Sequence, residues 1–257
     1  SGGIAALVNS HHASAKALTV IEPIGLLADC NQRCINLRDL ALPKLVSLFP
    51  HPFTIAVMGS STHAGSTTPT LIYSLMQAGY QVGAAKITGT GSGRNTWLMT
   101  DAGAKFVLDF THAGFPSTCR IGPEQVDFIV DTLITHLSVA RMDIIVLEVL
   151  EDWACQETTS VLNSKIFAKI VDAIVFTPSD AMSAIAGAEI IKHQRMPLTA
   201  IGGQLIESSL VSAGITAVTG LPVLDTALLS PEKVTEVFQI PLAAPCQKSH
   251  CICNSLN

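Results

Sequence analysis

The chain has 257 residues, 48% hydrophobic, 14% charged and 5% aromatic, with a formal net charge of −5 and a mean hydropathy of +0.44. That length suits one or two domains with a sizeable core, and scattered lysines and arginines on an acidic chain exclude a strongly basic nucleic-acid binder. A membrane span is excluded too, because no apolar run approaches the ~18 residues a bilayer needs; the most apolar stretch, Ile144 to Leu147, stops at Glu148.

Residues 1–52 read as an N-terminal extension. It holds one strand-like stretch, Ile24–Ala28, a polar turn, and a connector punctuated by Pro43, Pro50 and Pro52. Its first twenty residues show no basic leader followed by an apolar block and a cleavage site, so cytoplasmic residence is expected. From Thr54 onward, apolar strands alternate with helical stretches, the pattern of a parallel α/β sheet.

Strands are predicted over Thr54–Met58, Val82–Ile87, Asp143–Glu148, Ala173–Thr177 and Leu198–Ile201. They are apolar nearly throughout, as strands covered by helices on both faces should be. Helices are predicted over Ser66–Ala78, Gln125–Ala140 and Ser183–His193. The second puts Val126, Ile129, Val130, Leu133, Ile134 and Leu137 on one face. These elements predict an α/β domain over 53–240, a doubly wound, mostly parallel sheet in three layers. Beyond it, 241–257 reads as a flexible polar tail.

Seven cysteines, an odd number spread along a long chain, do not read as a secreted disulfide framework. Charged residues make up about a quarter of an ordinary soluble domain. At 14%, some apolar surface here is expected to be covered by a second copy, which predicts a homodimer.

The strongest local signal follows the first core strand. Gly59, Ser60, Ser61, Thr62, His63, Ala64, Gly65, Ser66, Thr67 and Thr68 form a glycine-bounded loop between that strand and a helix. This is the layout of a P-loop, in which successive backbone N–H groups cradle a phosphate. The helix N-terminus adds about half a positive charge to the same spot. Thr67 stands where a hydroxyl ligates Mg²⁺ in nucleotide complexes. One residue departs from the pattern: Ser66 occupies the place of the lysine that balances charge on the β and γ phosphates. An ordinary strand–turn–helix connection would look similar.

Two more elements point to the same place. The second strand ends at Lys86, followed by Thr88, Gly89, Thr90, Gly91, Ser92, Gly93 and Arg94. Parallel strands open their C-terminal ends onto one crevice, so Lys86 is expected to face the loop. The third strand runs from Asp143 to Glu148, and an acid there suits a carboxylate that holds Mg²⁺ directly or through water. Asp109, closing the run Val107–Phe110, is a second candidate acid, and Asp101 a lesser one that could be a helix cap. Glu151 and Asp152 read as loop acids nearby. His63 is a candidate contact to a γ-phosphate or substrate, and His112 a candidate acid/base on the substrate side.

Weaker constellations carry less. Cys246, His250, Cys251 and Cys253 crowd into one tail group without a partner pair, unlike a zinc site. Cys30 and Cys34 read as buried or incidental thiols. The Gly89–Gly93 turn lacks the helix start and following acid of a dinucleotide fingerprint.

These residues resemble the P-loop family that includes dethiobiotin synthetases and MobB-like proteins, and within it an uncharacterised branch built on a domain of unknown function. The resemblance spans about residues 54–229. It rests on the 59–68 loop, with lysine in the family where this chain has Ser66, and on 83–91, Trp97, 101–104 and 107–118. It implies a SIMIBI-type sheet, ATP or a related nucleotide on the loop, and Mg²⁺. By the same likeness Lys86 sits near the phosphates or an anionic substrate, Glu148 belongs to the metal shell, and Thr177, Pro178, Ser179 and Asp180, with Gly202, Gly203 and Gln204, contact the base. A branch of the family has also been associated with N-acylation of D-amino acids.

The expectation is an ATP- and Mg²⁺-dependent ligase or kinase acting on a small carboxylate or amine, with no nucleic-acid or membrane partner. Thr67, Asp109 and Glu148 would organise Mg²⁺ and Lys86 would neutralise the transferred group. Substrate would enter over Thr88, Gly89, Arg94 and His112. Two other functions stay open: a nucleotide-binding module whose hydrolysis is lost through Ser66, and acyl transfer from an acyl-CoA. A natural loss and an engineered substitution at position 66 read alike in the sequence.

Overall fold

The computed structural model describes residues 20–46, 50–59, 61–149, 155–203, 209–225 and 229–241, with only the backbone described for 61–65. Seven parallel strands form one sheet: β1 (Phe53–Gly59), β2 (Val82–Lys86), β3 (Phe106–Asp109), β4 (Ile144–Val149), β5 (Ala173–Thr177), β6 (Leu198–Gly202) and β7 (Val223–Leu224). Their order across the sheet is β3-β2-β4-β1-β5-β6-β7, which places β1 at the centre and reverses the winding beside it.

The strands are apolar on both sides because both sides are covered. Ala56, Met58, Ile145 and Leu147 pack with Ile129, Val130 and Leu133 of the helix Pro123–Val139. Ile55, Val57, Ile144 and Val146 pack on the other face with Leu71, Ile72 and Leu75 of the helix Ser61–Gln77. In chain order the helices are α1 (Ser61–Gln77), α2 (Arg94–Asp101), α3 (Pro123–Val139), α4 (Gln156–Leu162), α5 (Lys165–Ile170), α6 (Ala181–His193), α7 (Ser209–Thr219) and α8 (Pro231–Phe238). The three-layer, doubly wound architecture read from the sequence is therefore the one that forms.

Several boundaries differ, for identifiable reasons. Asp143 stops short of β4 because its carboxylate accepts from the Gln81 amide ahead of β2 (2.8 Å), and Asp172, just ahead of β5, likewise accepts from the Thr54 amide at the start of β1 (2.8 Å). The strand expected at Ile24–Ala28 does not form. That stretch makes one isolated antiparallel bridge, Ala28 to Cys34, and Ile24, Leu26 and Leu27 stay exposed. Cys30 and Cys34 are exposed as well, contrary to a buried reading. Asp101 closes α2 rather than capping the start of a helix.

The most consequential difference concerns α1. It begins at Ser61, two residues after β1 ends, so Ser61–Gly65, expected as open loop ahead of a helix starting at Ser66, already belong to the helix. Thr67 thereby moves from the first turn to the second. Pro69 lies inside this helix. A proline there has no N–H for the carbonyl four residues earlier, which leaves Gly65 without its helical donor.

Candidate functional site

The sheet register assembles the site. Asp109 pairs with Lys86, and Lys86 with Glu148, so three adjacent strands end in a row of charged residues. The row continues through Val57 of β1 and Val175 of β5. Side chains paired across parallel strands share a face, here the one covered by α1. Lys86 and Glu148 therefore follow directly after the apolar layer of Ala84 and Val146. Both are buried, Glu148 to 1% exposure.

A carboxylate so deeply placed needs partners. The side-chain amide of Asn95, the second residue of α2, donates to Glu148 Oε1 at 2.7 Å. Burial pushes the Glu148 pKa above the ordinary carboxyl value; Asn95, the Lys86 ammonium and Thr68 pull it part of the way back. Thr68 stands beside the carboxylate, yet its hydroxyl makes no well-formed hydrogen bond. The same holds for the buried hydroxyls of Thr67 and Thr88. Leaving a buried hydroxyl unpaired costs about 1–3 kcal/mol. Thr67 and Thr68 come from α1, and Thr88 follows β2 directly.

Ser60 lies outside the described residues, as do Leu150 to Ala154 and hence Glu151 and Asp152. Nothing is placed for the side chains of Ser61, Thr62, His63, Ala64 and Gly65. The α1 N-terminus nonetheless lies at the C-terminal edge of the sheet, with no acid in its first turn, and the first amides of a helix have no acceptor within the helix itself.

The second glycine turn is not an anion cradle. The Gly89 amide donates to Thr118 Oγ1 (2.7 Å), the Thr118 amide to Gly89 O (2.9 Å), and the Gly91 amide to Pro116 O (3.1 Å). Gly89, at φ +125°, permits the bend. This turn and the 116–118 segment thus form a single wall. Arg94, the first residue of α2, is exposed.

Asp109 serves its own turn. Its Oδ1 accepts from the Thr111 amide (3.0 Å), the Thr111 hydroxyl and His112 Nδ1 (2.9 Å), capping the short 3₁₀ turn Phe110–Ala113. Burial raises the Asp109 pKa, but the hydrogen bonds from His112 and Thr111 outweigh it and the net shift is downward. The Asp109 hydrogen bond raises His112 in turn, against a smaller opposing effect of burial. The Asp109 amide lies 3.1 Å from the same Nδ1. One nitrogen cannot serve both: protonated, it donates to Oδ1; in the Nε2–H tautomer, it accepts from the amide.

β5 and β6 close the other side. Gly59 pairs with Thr177, whose hydroxyl donates to Met58 O at 3.0 Å. Pro178 follows, and Asp180 caps α6 by accepting from the Ser183 amide at 2.8 Å. Gly203 approaches Pro178, and a Cβ built on Gly202 would stand 3.5 Å from Thr67. Gln204 and the tail cysteines with His250 lie outside the described residues.

No protein-family model matches the sequence, and no curated protein matches it. Solved structures match its shape. The signal recognition particle 54 kDa protein from Aeropyrum pernix K1, in complex with GDP, aligns with a TM-score of 0.51 at 17% identity, over 78% of this chain and 48% of that one. The signal recognition particle receptor FtsY from Elizabethkingia anophelis, also with GDP, aligns with a TM-score of 0.51 at 11% identity, over 79% and 68%. Chloroplast FtsY from Physcomitrella patens gives 0.50 at 11%, over 79% and 70%. The fold is the α/β, P-loop NTPase-like one that these proteins share. This chain spans about half the length of the first of these proteins, and at such identities the likeness concerns the fold alone.

The structure therefore brings Lys86, Glu148 and Thr68 together and sets Asp109, bonded to His112, in register with Lys86; Thr67 lies toward Gly202 of β6, and Thr88 is buried just after β2. Asn95 went unread in the sequence; an amide in the first turn of a helix beside the strand ends was its only signal. Among the described residues no helix is long and apolar enough to cross a membrane.

Proposed function

We propose that the protein binds ATP with Mg²⁺ at the C-terminal edge of the sheet and activates a small carboxylate- or amine-bearing metabolite, as a ligase or kinase. The observation that carries this reading is the buried pair Lys86 and Glu148 with the Thr68 hydroxyl beside the carboxylate, together with the unpartnered buried hydroxyls of Thr67 on α1 and Thr88 just after β2. Oxygen donors next to one carboxylate suit a hard cation that keeps several waters, and an adjacent ammonium suits its phosphates. Residues and group therefore fit. Mg²⁺, when bound, neutralises charge on the phosphates.

Each residue has a role in this reading. Thr67 and Glu148 hold the cation, directly or through water, with Asp109 at the far end of the row. Lys86 offers positive charge to the group being transferred, the part Ser66 cannot play. The α1 amides receive phosphate oxygens. Pro69 leaves the turns before it without full helical bonding, so 61–66 can open into a cradle at modest cost. Pro178 borders the base, and substrate lies along Thr88, Gly89, Arg94 and His112. The likeness to dethiobiotin synthetase and MobB-like proteins supports this class of chemistry. The low content of charged residues supports a homodimer.

Ser66 favours a second reading, a nucleotide-binding module without hydrolysis. Calorimetry with ATP, GTP, ADP and acetyl-CoA, each with and without Mg²⁺, tests both. Mg²⁺-dependent ATP binding is expected. Binding of acetyl-CoA alone, or of no nucleotide, overturns the proposal. Phosphate release with candidate carboxylates and amines then separates enzyme from module.

A further inference from the structure

We propose that the outward face of α7 is a self-association surface, on which a second copy of this chain seats its own α7 antiparallel, across a two-fold axis over Gly214. The inference rests on the homodimer reading and on no property of the nucleotide site.

α7 packs inward through Ile215, which joins Ala184 and Ala188 of α6 and Ile201 of β6. Its other side faces outward. Leu210 is 81% exposed, Val218 64% and Val211 41%, and Ala213, Gly214 and Ala217 are exposed with them. None of the eleven residues, SLVSAGITAVT, is charged. A mostly apolar helix without charges is ordinarily covered on every side, and an outward apolar face of this kind marks a contact surface.

The glycine shows what kind of surface approaches. Gly214 stands in mid-helix, where glycine costs stability relative to alanine. Among the described residues nothing requires it: its φ is not in the left-handed region, and a Cβ built on it meets no atom within 4 Å. What the missing side chain leaves is room for the close approach of another backbone.

Symmetry names the occupant. Gly214 is the sixth of the eleven residues, and Leu210 and Val218 stand four residues to either side of it. Positions four apart form one ridge along a helix, so the exposed ridge is two large side chains flanking a notch. An antiparallel copy crossing at the notch sets Leu210 of each chain beside Val218 of the other, the reciprocal match of an isologous dimer. Charge agrees with this arrangement. The two helix faces meet without like charges opposing, and the antiparallel sense puts the positive N-terminal end of each helix beside the negative C-terminal end of the other. Lys192 Nζ, which donates to Thr219 O at 2.7 Å, lies 3.7 Å from Glu189 Oε1, so these two charges at the rim offset each other.

The test is sedimentation equilibrium of the whole chain from about 1 to 100 µM, where a small interface dissociates. A reversible monomer–dimer equilibrium is expected. Leu210→Glu and Val218→Glu should each weaken the dimer at least about tenfold, and should leave the thermal melt of the monomer unchanged because both side chains face solvent there. Gly214→Leu should act in two opposite directions: it raises the melting temperature of the monomer through helix propensity and weakens the dimer by filling the notch. Gly214→Cys, oxidised and digested, should give a 214–214 linked peptide by mass spectrometry, since β-carbons facing each other across the axis lie within disulfide reach. A monomer at every concentration overturns this proposal together with the homodimer reading. A dimer that Leu210→Glu, Val218→Glu and Gly214→Leu all leave unchanged keeps that reading and overturns the assignment to α7.

Discussion

Lys86 and Glu148 are register partners at the C-terminal ends of β2 and β4, both buried on the face that α1 covers. The ammonium thus lies one strand away from the carboxylate, beneath the helix whose opening turns carry Ser66 in place of lysine. If the charge missing at 66 is supplied from β2, the two positions compensate each other. Lys86→Met should weaken ATP binding at least about tenfold, some 1.4 kcal/mol. Ser66→Lys should strengthen it and should restore most of the loss in the double variant. Strictly additive effects would show that the two residues do not share a phosphate.

Glu148 makes a prediction about pH and metal together. Burial raises its pKa above the ordinary 4.5 despite Asn95, Lys86 and Thr68. The folded protein then holds this proton more tightly than the unfolded chain does. Its stabilising contribution is complete below about pH 4.5 and is lost as pH rises through the folded value. Glu148→Gln removes that loss, so urea-denaturation curves should shift in favour of the variant as pH climbs from 4.5 to 8. In the same variant the Mg²⁺ dependence of ATP binding should vanish. Parallel stability curves, or unchanged Mg²⁺ dependence, would remove Glu148 from the role given to it.

The layered sheet was legible because apolar strands and amphipathic helices are statements about burial, and burial decides the fold. Lys86 and Glu148 were legible because parallel strands share one open end. What escaped depends on contacts distant in sequence. Ile24–Ala28 has strand composition but no neighbouring strand to receive it, and composition alone cannot supply one. The start of α1 was placed at Ser66 on the expectation of a loop, whereas the chain turns directly from Gly59 into helix. Asn95 is ordinary until β4 delivers Glu148 beside it. Asp109 reads as a metal-facing acid in isolation, but Thr111 and His112, two and three residues on, engage its Oδ1.

That engagement is measurable. Asp109 is held below its ordinary 3.8 and His112 above its ordinary 6.5. The aspartate share of the stability exists above pH 3.8 and is lost as pH falls through the folded value. The histidine share exists below pH 6.5 and is lost as pH rises through its own. The pair should therefore stabilise most between those two values. Asp109→Asn should return the His112 titration, followed by NMR, to the ordinary range and cost about 1 kcal/mol near pH 6, since the imidazole is half in solvent. An unmoved His112 titration would show that the contact is not made in solution.

Two glycines separate backbone strain from collision. Gly59 and Gly203 adopt nearly the same conformation, φ +139° and +135°, which side chains rarely tolerate. Among the described residues a Cβ on Gly203 meets only Pro178 O at 3.9 Å, whereas one on Gly59 lies 2.2 Å from Thr177 O, a backbone atom fixed within β5. Gly203→Ala should cost strain alone, about 1–3 kcal/mol. Gly59→Ala adds a clash that can be relieved only by parting β1 from β5, so its loss should exceed that of Gly203→Ala by roughly 1–3 kcal/mol. Because Gly59 also leads into α1, the same substitution should shift the helix start and weaken ATP binding, while Gly203→Ala should leave it nearly intact. Chemical denaturation of the two variants decides the matter: equal losses would mean that β1 and β5 do not approach as closely at this point as the register requires.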